Sequence, residues 1–431
     1  MRIDLTRVWS RILFLGLILV GSGTFIFFSG RAYLAAHWNA SSSPALRLKA
    51  ARLEPGNAEY WGRLGASHQW DLSSGDTQAA VHYLEKATRV NPRSADLWME
   101  LGDAYQTSGD AARARKAYAK AQESYPISAE AAWRYGSFLV YEGDYSEGYT
   151  EFRRALSVDP TLTTDAISEC WQSSGSVVPI LDNVLPRKSG YYIDAMNFFL
   201  SQNLTEPALA VWNRRQALNL PVKVNETVPL VDALIAEDRL ADAQRTWNDG
   251  LESTNWSRDE VKNRSLVMNS GFERNMANGG FDWREIAMDG VRFDFDNFLP
   301  HSGSRSLRIQ FDGTKNLDFQ NLFQLVPVEP GTRYHFSAYL RSQAISTDHG
   351  VHFEILDAKR PVELQVVTPD AIGTTPWILQ QTDFVTGPNT HLLRISLRRI
   401  PSWKFDNKLG GTVWVDDVAL TPSPGIAKDI S

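Results

Sequence analysis

Three large aromatic residues stand among charges and amides in stretches with no helix or strand pattern. Trp403 and Phe405 alternate with Lys404, Asp406 and Asn407, and Trp283 lies between Asp282 and Arg284. A flat ring offered to a pyranose face, flanked by groups that bond hydroxyls, holds a sugar without catalysis. Trp283, Trp403, Phe405 and Asn407 are therefore the candidate glycan-binding residues, while Trp377 reads as a core residue at a strand start. Other chemistry finds little support. Cys170 is the only cysteine, and its neighbours Ser168, Glu169, Trp171 and Gln172 include no cation to lower its pKa, so it reads as a structural thiol. His349 and His352 sit in strand-like sequence, where that spacing sends them to opposite faces and disfavours a metal site. The sequence has no glycine-rich phosphate loop, HExxH, GxSxG or other recognisable hydrolase motif. The chain reads as a non-enzyme.

These residues must be positioned by folded units, and 431 residues are too many for one ordinary core. The formal net charge of −6 gives no general attraction to phosphate backbones. The nearest basic group, Arg394, Arg398, Arg399 and Lys404, is interrupted by apolar strand residues, so no nucleic-acid partner is expected. From Ile12 to Gly30 the sequence carries no charge, and 19 helical residues span about 28 Å, close to the hydrocarbon thickness of a bilayer. Arg2, Arg7 and Arg11 precede this run. The positive-inside rule therefore leaves residues 1–11 in the cytoplasm, makes 12–30 a transmembrane anchor and carries the bulk of the chain across. A cleaved signal fits less well, because the apolar run is too long and Arg31 and Tyr33 intrude where cleavage would fall.

Beyond the anchor the chain repeats. Pro92, Pro126 and Pro160 are 34 residues apart. Ahead of Pro126 stand Trp98, Leu101, Gly102, Tyr105, Ala114, Tyr118 and Ala121, and ahead of Pro160 the matching offsets hold Ala132, Tyr135, Gly136, Leu139, Gly148, Phe152 and Ala155. The stretch ending at Pro92 follows with Trp61, Leu64, Gly65, His68, Tyr83 and Ala87, plus three extra residues near Trp70–Gly75, and ALRLKAARLEP forms a half-repeat before it. Small residues fit where the helices of a pair approach, large ones fill between pairs, and proline ends the second helix. This pattern resembles the tetratricopeptide repeat and covers 42–160. An echo of period 35, Ala208–Trp212 against Ala243–Trp247, marks 161–260 as degenerate helical repeats. Such arrays bind partner segments on their concave face, so the resemblance implies protein partners.

Helical periodicity stops near Ser265. The runs SLRIQF, LFQLVPV, RYHFSAYLR, VHFEILD, LLRISLRR and TVWVDDVAL, separated by Gly, Pro, Asn and Asp, predict an antiparallel sandwich over 265–421, with 422–431 as a tail. The segments LVMNSGFE, SGSRSL, VEPGTRYHFS and VWVDDV resemble, in this order, the jelly-roll carbohydrate-binding modules of galactose-binding-like fold attached to cellulases and xylanases. In those modules a structural calcium staples the first and last strands. The resemblance would put it on Glu273 with Asp416 or Asp417, helped by carbonyls near Ser304.

The expected architecture is thus a transmembrane helix, an all-α helical-repeat solenoid and an all-β jelly-roll sandwich. Repeats joined to such a module are similar to proteins of bacterial exopolysaccharide export, which implies a single-pass inner-membrane protein with its bulk in the periplasm. The favoured reading is a scaffold or adaptor with a glycan-binding sandwich. A protein–protein assembly factor with a purely structural sandwich, and an accessory subunit or hydrolase acting on polysaccharide, are the alternatives.

Overall fold

A computed structural model describes residues 8–69, 75–252 and 265–423. Residues 70–74, near which the three extra residues fall, the ends 1–7 and 424–431, and 253–260 of the degenerate repeats lie outside the described residues. The chain forms two compact units, Met1–Pro186 and Arg187–Ser431.

The first unit opens with α1 (Val8–Asn39), the one described helix long and apolar enough to cross a membrane. It outruns the expected 12–30 at both ends. No proline or glycine stops it after Gly30, and Ala35 and Asn39 are buried where it packs on α2 (Pro44–Leu53). Three antiparallel pairs follow: α3 (Ala58–Gln69) with α4 (Thr77–Val90), α5 (Ala95–Thr107) with α6 (Ala111–Ser124), and α7 (Ala129–Tyr141) with α8 (Tyr145–Val158). The repeat chemistry is legible atom by atom. Ser94 and Ser128 cap the first helices of their pairs through the N–H groups of Leu97 and Ala131, and Asp76 and Asp110 cap second helices. Trp61 and Trp98 each donate an indole N–H to the carbonyl six residues back, at Pro55 and Pro92. The turns between helices use Gly109 (φ +79°) and Gly143 (φ +88°), a left-handed backbone that other residues resist. A Cβ on Gly102 would lie 2.8–2.9 Å from the Tyr118 ring, and one on Gly136 would lie 2.9 Å from the Phe152 ring, 34 residues further on. The unit closes with α9 (Thr163–Ser174) and the short α10 (Val177–Pro179), which runs into a wide turn over Ile180–Val184. Cys170 is wholly buried on α9, and burial pushes its thiol pKa up.

The second unit begins with two helical pairs, α11 (Ser189–Ser201) with α12 (Thr205–Ala217) and α13 (Val224–Ala236) with α14 (Leu240–Glu252). Trp212 and Trp247, related by the period of 35, are both buried. Two five-stranded antiparallel sheets follow. The first has the order β1 (Arg284–Glu285), β4 (Phe319–Pro327), β9 (Leu392–Arg399), β6 (His352–Asp357) and β7 (Gln365–Val367). The second has β2 (Val291–Asp296), β3 (Ser306–Asp312), β10 (Gly410–Pro422), β5 (Arg333–Ile345) and β8 (Gly373–Val385). Alternate residues of both sheets meet in a core that includes Phe272, Phe319, Phe336, Phe353, Ile395 and Val415. The helical pair is part of this unit: the Trp247 ring meets Phe281 edge-on at 6.1 Å, Asp232 Oδ1 accepts the Gly280 N–H at 2.9 Å, and Arg284 pairs with Asp232 at 2.6 Å.

Candidate functional site

The loop from Ile400 to Leu409 joins β9 to β10 and carries the first candidates. Its base is pinned. Ser402 is buried, donates its N–H to Asn316 Oδ1 at 3.1 Å and its hydroxyl to Asp348 Oδ1 at 2.6 Å. Arg399, also buried, donates to Asn316 Oδ1 at 2.7 Å and to the Asn407 carbonyl at 3.1 Å. The Ser402 hydroxyl and Lys404, 3.0 Å away, hold the Asp348 carboxyl down to about 2. Between these fixed points Trp403 and Phe405 stand in solvent, 99% and 105% exposed. Two rings that bury nothing contribute nothing to the core, which leaves their faces free for a ligand.

Trp283 is a correction. It is 0% exposed, its ring 5.2 Å from Phe272 within the sandwich core, and no sugar reaches it. The buried Asp282 beside it does not line a site either: its Oδ1 takes the Trp283 N–H and its Oδ2 the Ala277 N–H, both at 2.7 Å. Asn407 is half-buried, with its backbone carbonyl held by Arg399. Trp377 is half-buried on β8, edge-on to His301 at 5.7 Å. His352 bonds Asp370 at 2.6 Å, whereas His349 lies in the loop before β6 and offers its carbonyl to Thr347.

Glu273, Asp416 and Asp417 do converge: a Cβ on Gly271 would meet atoms of all three within 3.5–3.7 Å. Asp417 has φ +48°, at a bulge in β10 that turns its carboxylate toward the 301–302 loop. Yet the loop turns donors toward them. Glu273 accepts the Ser304 N–H at 2.8 Å, and Asp416 Oδ2 those of His301 and Ser302 at 2.8 and 3.2 Å. Burial pushes the Asp416 carboxyl up to about 6 against the pull of those N–H groups, and the Asp417 charge adds to the rise. Calcium needs six or more oxygens. An N–H-lined pocket does not fit it, and among the described residues no group of three or more His, Cys, Asp or Glu is arranged to hold a metal.

A second surface escaped the sequence reading. On the first sheet, registers β4–β9 and β6–β9 line up Phe323, Arg394, Ser396, Glu354, Arg398 and His352 on the face away from the core. Glu354, Ser396 and His352 are nonetheless buried, beneath Arg398, which reaches Glu354 at 3.8 Å, and Gln365, which donates to it at 2.8 Å. The signal was present as alternation of Arg, Ser and Arg along LLRISLRR, but only strand pairing brings it beside Phe323 and Glu354. In the first unit, a cavity of about 500 Å³ is lined by Asp103 and Gln106 of α5, Tyr118 of α6, Trp133 and Arg134 of α7 and Glu169 of α9, among others.

The family described as tetratricopeptide repeat matches residues 71–126 and 100–162, so this stretch of the first unit is similar to tetratricopeptide repeats. The mouse protein named Superkiller complex protein 3 is 27% identical over 141 residues, which is 32% of this chain and only 9% of its own length. Among solved structures, a family 16 carbohydrate-binding module is similar over 36% of this chain and 99% of its own, at 19% identity and a TM-score of 0.27. The pilF protein of Pseudomonas aeruginosa is similar over 46% and 78%, at 20% identity and a TM-score of 0.25.

Proposed function

We propose that this chain is a membrane-anchored, extracytoplasmic scaffold without catalytic activity of its own. α1 is its single inner-membrane span, the tetratricopeptide array holds a protein partner, and the sandwich holds polysaccharide, in assembly or export of bacterial exopolysaccharide. One observation carries the glycan part: Trp403 and Phe405 are wholly exposed on a loop whose base is fixed by Ser402, Asp348 and Arg399. Stacking platforms are built this way, with rigid support and free ring faces. Two oxygen-rich neighbours, Asp406 and Asn407, add partners for hydroxyls. Calcium has no part in this reading.

The test is polysaccharide binding by the full chain and by its Trp403→Ala and Phe405→Ala variants. Loss of one platform ring weakens binding at least tenfold, about 1.4 kcal/mol, while the melting temperature stays within a degree or two. Equal binding by both variants and the parent would remove the platform.

A further inference from the structure

The outward face of the first sheet and its flanking β1 carry three guanidinium groups, and two of them are neutralised. Arg284 pairs with Asp232, and Arg398 pairs with Asp318 and reaches Glu354. Arg394 has no carboxylate within ion-pair distance among the described residues. Its guanidinium lies 4.1 Å from the Phe323 ring centroid, gives one N–H to the Gln320 carbonyl at 3.1 Å, and keeps a buried Nε without a partner. The cation is half-buried, and its pKa is lowered, chiefly by that burial, with Glu354 opposing and the Arg398 charge adding to the fall. A half-buried cation without a carboxylate partner is costly unless an anion arrives with the ligand.

We infer that this face binds polysaccharide bearing carboxylates, with Arg394 gripping the carboxylate of a uronate unit; the inference rests on the glycan-binding reading above. A guanidinium fork matches a carboxylate with two parallel hydrogen bonds, and the Phe323 ring beneath it fixes the plane of the fork. Glu354 pairs across the strands with Ser396 and is held by Arg398 and Gln365, so it is not an ion-pair partner of Arg394. Gln365, exposed beside Glu354, keeps its amide oxygen for a sugar hydroxyl while its N–H is given to Glu354.

The experiment uses the full chain in detergent with three probes: polygalacturonate, its methyl-esterified neutral form, and dextran sulfate. Polygalacturonate is expected to bind at least tenfold tighter than the ester and than dextran sulfate. Arg394→Gln abolishes that preference, and Arg394→Lys, which keeps the charge and loses the fork, retains only part of it, both with melting temperatures near the parent's. Equal binding of acid and ester, with both weakened by Trp403→Ala, overturns the acidic preference and leaves the glycan reading standing. Tightest binding of dextran sulfate overturns it as general polyanion attraction, and an unchanged preference in a folded Arg394→Gln removes Arg394 from it. Binding of none of the three overturns both.

Discussion

Glu100 lies on α5, where burial pushes its carboxyl up to about 7; the Arg134 charge opposes this, and Asp103 and Asp96 add to it. Because the folded state holds this proton more tightly than the ordinary 4.5 allows, it binds more protons than the unfolded chain between those values. Stability is therefore lost as pH rises through that window, and the penalty is complete above 7. Glu100→Gln mimics the protonated acid. It should leave stability unchanged at pH 4 and raise it at pH 8 by about 1–2 kcal/mol, less than the ~3 kcal/mol of the whole shift because the group keeps some solvent. Urea denaturation at the two pH values checks this, and a variant equally stabilised at both would remove the buried charge as the cause. At this scale the sequence is least informative. Trp283 and Trp403 are each followed by a cation, Arg284 and Lys404, yet one is core and the other solvent. Spacing does not separate them: Phe281 and Trp283, both buried, lie two residues apart outside any strand. Trp403 and Phe405 share that spacing as well, so it is the pinning of the loop at Ser402 by Asn316 and Asp348, distant in sequence, that decides.

Elements were more legible, because periodicity is a property of many residues together. The 34-residue spacing set the helix pairs, and LLRISLRR is β9 from end to end. Trp377 reads as a strand start, but β8 begins four residues earlier, at Gly373, and takes in Pro376, because β8 is an edge strand, where proline removes no needed hydrogen bond. The repeat register makes a sharp demand at Gly102, where even a methyl group would lie 2.8 Å from the Tyr118 ring. Gly102→Leu should cost at least 2 kcal/mol, within the ~1–3 usual for overpacking. A loss below half a kcal/mol in chemical denaturation would show that Tyr118 yields. Trp247 of α14 makes a comparable demand on the second unit, since a Cβ on Gly280 would collide with its ring. Trp247→Ala should cost about 3–5 kcal/mol. It should also raise hydrogen exchange in residues 276–284, next to the lost ring, and unchanged protection there would show that the helix pair does not brace the sandwich.

For the whole molecule, the anchor reading makes a topological prediction. A reporter active only outside the cytoplasm, fused after Ser431, should be active, and cytoplasmic activity of that fusion would reject it. The same reading gives the length of α1 a mechanical meaning. Its 32 residues extend about 48 Å, against about 30 Å of hydrocarbon, and those after Gly30, about two and a half turns, continue past the membrane without a break. Those turns are not a loose leash. Arg31 donates to the Leu53 carbonyl, and Ala35 and Asn39 pack into the first repeats. An array mounted on such a stiff post would work at one altitude above the lipid and sweep a disc as the post spins. Lengthening the post by two residues would therefore turn its binding groove about 200° away from whatever it meets, whereas a floppy tether would forgive the change.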